Sequence, residues 1–170
     1  MLIGNPYKFA VLFDRVADWN NSIKDNNGLF ALCIDGKLFP DVVINAVVPV
    51  SIYDIKESLI GIPVNEMMYN MDTDILFKSL YKLVFPDVDN NDDNDYRYLL
   101  ATSDLTDIDN LVFAVEGKGM VRILAAKLEY DVAESTHIFD KSAITEVILD
   151  KNEVNQIIRE IEKAIGEFEG

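Results

Sequence analysis

The sequence predicts a single α+β domain: an antiparallel β-sheet packed by a few helices, the last of them amphipathic. Three observations carry this expectation. Residues 7–50 hold apolar, β-branched runs separated by short turn signals, the pattern of adjacent antiparallel strands. Residues 111–130 read as a long hairpin, with Glu116-Gly117-Lys118-Gly119 between two apolar runs. Residues 150–170 carry an apolar stripe at helical spacing. The length of 170 residues suits one domain, and such a chain buries roughly 70% of the surface its unfolded form exposes. At 49% hydrophobic residues the composition is globular, and residues 1–170 show no repeat or linker.

Taken in order, Tyr7–Val16 is rich in aromatic and β-branched residues and reads as a strand. Asp25-Asn26-Asn27-Gly28 is a turn signal before a second strand, Leu29–Ile34. Asp35-Gly36 marks a tight hairpin into Lys37-Leu38-Phe39. Pro40 ends that pairing, because it has no N–H for the ladder. Val42–Val50 is a third β-branched run, and Ser51–Ile60 a short helix. Asp72 or Asp74 is placed to cap a helix through Leu83, with Ile75, Leu76, Leu80 and Leu83 roughly on one face and Pro86 beyond its end. Residues 87–95, DVDNNDDND, form a polar loop, and Tyr96–Ala101 a further strand. Asp150 caps the terminal helix and Glu153 completes a capping box. Val154, Ile157, Ile158, Ile161, Ile165 and Phe168 hold one face of that helix; Arg159, Glu160, Glu162 and Lys163 hold the other.

Thirty acidic against fifteen basic residues give a net charge of −15. Such a field repels nucleic acid and anionic membranes and attracts cationic partners. The excess is uneven: residues 72–109 carry ten acids and three bases. No run reaches the roughly 20 apolar residues of a membrane helix, and the N-terminal residues lack the pattern of a signal peptide. A single cysteine, Cys33, cannot form an internal disulfide. The expected address is cytoplasmic.

Catalytic chemistry finds little footing. His137, the sole histidine, has no motif-marked serine or cysteine beside it and is read as an ordinary surface or satisfied side chain. Cys33 alternates with apolar neighbours and is read as a small buried hydrophobe. Gly117-Lys118-Gly119 lacks a phosphate-loop pattern and reads as a turn. In the acidic loop Asp87, Asp89, Asn91 and Asp93 follow calcium-loop spacing, but Asp92 stands where glycine is needed and Tyr98 where the bidentate glutamate belongs. No cofactor or metal site is expected. The loop is either a solvated connection or an acidic surface for a cationic partner. Trp19, the only tryptophan, is assigned to the structure rather than to an interface.

Ile3-Gly4-Asn5-Pro6-Tyr7-Lys8-Phe9-Ala10, Phe13-Asp14, Trp19-Asn20, Asn27-Gly28 and Ile34-Asp35-Gly36-Lys37-Leu38-Phe39-Pro40 resemble the immunity protein 42 family, most strongly across residues 1–40. The resemblance implies an antidote of a bacterial polymorphic-toxin or contact-dependent inhibition system. Such a protein captures a cognate toxin domain and needs no catalytic constellation. The residues that carry the resemblance are structural, so no interface position transfers with them.

The leading expectation is therefore a non-enzymatic inhibitor that occludes a basic toxin domain, a nuclease in the sharpest form of the reading. Its candidate contacts are Asp87, Asp89, Asp92, Asp93 and Asp95, then Asp104, Asp107 and Asp109, with Tyr96 and Tyr98 as aromatic anchors. Two alternatives stand beside it: a protein-interaction or self-associating scaffold domain using a free sheet edge, and a hydrolase using paired acids. The oligomeric state is left open.

Overall fold

The computed structural model describes residues 1–22, 25–86, 93–100 and 103–169. Two antiparallel sheets form its frame. The first contains β1 (Leu2–Gly4), β2 (Phe9–Arg15), β3 (Asn27–Ile34) and β4 (Lys37–Phe39) in that order. A two-residue strand, β5 (Ala46–Val47), joins the β4 edge of β3 at its other end. The second has the order β10 (Thr145–Asp150), β7 (Met120–Lys127), β6 (Asn110–Gly117). A separate hairpin joins β8 (Glu129–Asp131) to β9 (Thr136–Ile138). The helices are α1 (Val48–Ile60), α2 (Glu66–Tyr69), α3 (Thr73–Val84), α4 (Ser103–Thr106) and α5 (Lys151–Glu169).

Both tight hairpins follow from their turn residues. Asp35 and Gly36 have φ of 51° and 74°, and Lys118 and Gly119 have 55° and 74°, the paired positive values of a two-residue turn matched to strand twist. Gly117 lies in β6 rather than in the turn, for a packing reason. A Cβ there would sit 2.5 Å from the Tyr69 ring of α2. The terminal helix starts on its expected box: the Asp150 N–H donates to Glu153 Oε2 at 2.9 Å, and Asp150 Oδ1 accepts from the Asn152 N–H at 2.7 Å. Its Val154, Ile157 and Ile161 are buried, with Ile158 and Ile165 packed beside them.

Several expectations need correction. The run Val42–Val50 is not a strand: only Ala46–Val47 pairs, and α1 begins at Val48. Pro49 explains this, since it cannot donate to a ladder but fits the first helical turn. Tyr96–Ala101 is not a strand over its described part. Asp95 accepts from the Arg97 N–H and winds Tyr96–Tyr98 into a 3-10 turn, leaving Leu99 a lone bridge to Phe113. Asn27 and Gly28 open β3 rather than ending a turn. The second hairpin strand stops at Lys127, and Tyr130 belongs to β8. Trp19 is not in the core but 37% exposed on a 3-10 turn. Asp72 precedes α3 without a side-chain cap.

The β6–β7 hairpin of sheet two is buried on both faces. Val112, Ala114, Val121, Ile123 and Ala125 join sheet one, α1 and α5 in the main core. The alternate residues Leu111, Phe113, Val115, Leu124 and Ala126 pack on Leu76, Phe77, Leu80 and Val84 of α3. Phe77 meets Phe113 edge-to-face, with ring centroids 5.1 Å apart.

On that second face stands one cation. Arg122 of β7 is 7% exposed. Its Nε pairs with Glu146 of β10, and Nη1 donates to the carbonyls of Tyr69 and Met71, the latter at 2.7 Å. Glu146 also accepts from the Thr73 hydroxyl at the start of α3. The ion pair thus joins two strands to the α2–α3 layer. Arg122→Ala leaves one oxygen of the Glu146 carboxylate and two carbonyls without their donor, the Thr73 bond to the other oxygen remaining. We expect a loss of about 3 kcal/mol, measured as a fall in the urea unfolding midpoint at unchanged slope.

Candidate protein interface

The chain's acid-rich segment is divided among three places. Asp87, Asp89 and Asp92 lie outside the described residues. Asp93 is exposed. Asp95 is half-buried and held by Arg97, whose Nε and Nη2 reach its two oxygens at 2.8 and 2.7 Å. The Arg97 hydrogen bonds hold this carboxyl below its ordinary range. Asp95 also donates its N–H to the Leu83 carbonyl, so this turn closes over the end of α3. Tyr96 is 58% exposed beside it, whereas Tyr98 is 6% exposed, packed in the α3 core with its hydroxyl accepting from Asn65.

The second place is α1. The short α4 sets Asp104 against this helix, where its Oδ2 accepts from the Ser51 hydroxyl at 3.0 Å. Asp54, one turn further along α1, is half-buried. Burial raises its carboxyl above the ordinary value, and the charge of Asp104 adds to the rise. Asp107 is exposed beyond α4. Among the described residues no lysine, arginine or histidine forms an ion pair with Asp54, Asp104 or Asp107.

The third place is Asp109, which has a positive φ of 59° and whose Oδ1 lies 2.9 Å from His137 Nε2. The other ring nitrogen is 2.8 Å from the Tyr81 hydroxyl. In the neutral ring the carboxylate accepts from Nε2–H, so Nδ1 accepts from the tyrosine. This line of three groups ties the β8–β9 hairpin to α3. Cys33 is buried, which pushes its thiol up, the opposite of activation.

Clefts lie between elements of the fold. One of about 430 Å³ lies between β4 and the end of sheet two, where Lys37 donates to Thr145 and Lys127 pairs with Asp41. Another of about 210 Å³ separates β2 from α5. Among the described residues no group of three or more His, Cys, Asp or Glu is arranged to hold a metal ion. No helix among them is long and apolar enough to cross a membrane.

What sequence reasoning missed is the outer face of α1. Val47, Val50 and Tyr53 are 50%, 56% and 51% exposed. Their spacing of three residues was a usable signal, hidden by reading Val42–Val50 as a strand. The geometry there supplies an apolar and acidic surface.

The family model of immunity protein 42 matches residues 1–164. No curated protein matches the sequence. The structure is similar to the crystal structure of CdiI from Burkholderia dolosa AUO158, with a TM-score of 0.78 over 96% of this chain and 99% of that chain. At 21% identity, this is a likeness of fold.

Asp54 offers a direct check of the electrostatics. A carboxyl whose folded value is raised binds protons more readily in the native state, so its effect on stability becomes unfavourable as pH rises through that window. Asp54→Asn should therefore unfold at a higher temperature than the parent near pH 7. The advantage should shrink near pH 3, where both states are protonated; a gain of equal size at both pH values would contradict this origin.

Proposed function

The chain belongs to the immunity protein 42 family, and from that premise we propose that it neutralises its cognate toxin domain by one-to-one occlusion, without chemistry of its own. The supporting observation is the net charge of −15 on a fold whose paired polar groups serve structural ties. Complementary charge accelerates capture above the roughly 10⁵–10⁶ M⁻¹s⁻¹ typical of neutral surfaces, a useful property for an inhibitor that must act before its target does. The partner is accordingly a basic domain, and a toxin that cleaves nucleic acid has the required phosphate-binding surface. The place of action is the cytoplasm of the protected cell. The CdiI of the similar structure carries the name of a contact-dependent inhibition immunity protein, which favours delivery of the toxin by such a system.

Co-expression with the toxin domain encoded next to this chain tests the reading. Growth should be restored, and calorimetry should give a one-to-one complex. Raising salt from about 0.05 to 0.5 M shortens the screening length roughly threefold, so association should slow by about tenfold or more while dissociation changes less. Failure to restore growth, with no complex formed, would refute the pairing.

A further inference from the structure

We propose that the outer face of α1, carrying Val47, Val50 and Tyr53 with Asp54 and Asp104 at its side, is the surface on which a basic toxin domain docks. This rests on the inhibitor reading above and specifies where the partner sits.

The argument begins with what α1 cannot turn away from solvent. Ile52, Ile55 and Leu59 are fully buried against sheet one and α5, fixing the rotation of the helix. The opposite side then presents Val50 and Tyr53, with Val47 of β5 immediately before the helix, each at least half exposed. The preceding loop adds Val42 at 53% and Val43 at 75%. Five exposed apolar side chains thus fall within twelve residues of the chain, Val50 and Tyr53 together on the helix side that faces away from the core. Solvent gives no return for such exposure, while a partner that covers it does.

Charge selects the kind of partner. Asp104 reaches Ser51 at 3.0 Å, and Asp54 lies three residues beyond Ser51 on the same helix, so two carboxylates stand together at the edge of the apolar stripe. They lack an ion-pair partner among the described residues. An incoming arginine would relieve their mutual repulsion and could engage them with its fork of N–H donors. Its stem would lie along the valines and the Tyr53 ring. The ring already accommodates a cation, with Lys56 Nζ 4.9 Å from its centroid. A buried apolar centre beside charged groups is the composition of an interface hot spot. The exposed tyrosine and valine of the β8–β9 hairpin, Tyr130 and Val132, provide a comparison surface on another element.

The test uses the full chain and an active-site-inactivated form of the adjacent toxin domain, with affinity, association rate and melting temperature measured for each variant. Tyr53→Ala and Val50→Arg should each weaken the complex by about 30-fold or more, with melting temperatures near the parent value because both side chains are exposed. The double variant Asp54→Asn, Asp104→Asn should slow association and flatten its salt dependence. Tyr130→Ala should bind within about threefold of the parent. If the parent binds tightly while Tyr53→Ala and Val50→Arg bind equally well, this surface is overturned and the inhibitor reading survives. A parent chain that does not bind overturns both.

Discussion

The β6–β7 hairpin is buried on both faces, and the placement of most other elements follows from that constraint. One face needs a cover of its own, which the aromatic and aliphatic side of α3 provides through Leu76, Phe77 and Leu80. The other must meet sheet one, α1 and α5 in a shared core. A strand closed in on both sides reads as a nearly continuous apolar run, as Leu111-Val112-Phe113-Ala114-Val115 does. Any polar side chain within it must find its partners inside. Arg122 does so by taking Glu146 from β10 and two carbonyls from the α2–α3 connection. The group most costly to bury thereby becomes the tie between layers.

Other bases tie elements together in a similar way. Lys8 holds Glu153 at the start of α5, Lys151 holds Glu116 at the end of β6, and Lys141 holds Asp74 in the first turn of α3. The exposed pair of Lys8 with Glu153 contributes only about 0–1 kcal/mol. The larger consequence of these ties is electrostatic: with fifteen bases against thirty acids, cations committed to local ties leave other carboxylates uncompensated. Asp54 and Asp104 illustrate this: burial raises the Asp54 carboxyl above its ordinary value, and the neighbouring charge of Asp104 adds to the rise.

Local signals made much of the fold legible. The capping box at Asp150 and Glu153, the Asp35-Gly36 turn and the stripe from Val154 to Ile165 each encode their structure within a few residues, and each is formed. The missed elements depend on distant partners. Residues 145–150 alternate clearly, with Thr145, Val147 and Leu149 buried, yet they need β7 to become an edge strand. Three residues of β1 carry too little pattern to announce pairing with β2. At Val42–Val50 β-propensity competes with Pro49, and the proline decides. At Tyr96 a local hydrogen bond from the Arg97 N–H to the Asp95 carboxylate overrides aromatic strand preference, an example of side-chain capping competing with the ladder.

The candidate surface was harder to read because the acid-rich stretch is continuous only along the chain. Folding sends Asp95 to the end of α3, Asp104 to α1 and Asp109 to His137, so neighbouring carboxylates acquire different work. Those held by Arg97 and His137 are committed to internal structure, and Tyr98 is committed to the core. Asp104 is different, since its neutral hydroxyl partner orients the carboxylate while leaving its charge uncompensated. It also lies against a helix locked by Ile52, Ile55 and Leu59. Side chains on such an element have little freedom left to lose when a partner arrives. A rigid helix face that retains both apolar area and free negative charge is therefore a better foundation for tight inhibition than a longer acidic run, even though the run dominates the linear sequence.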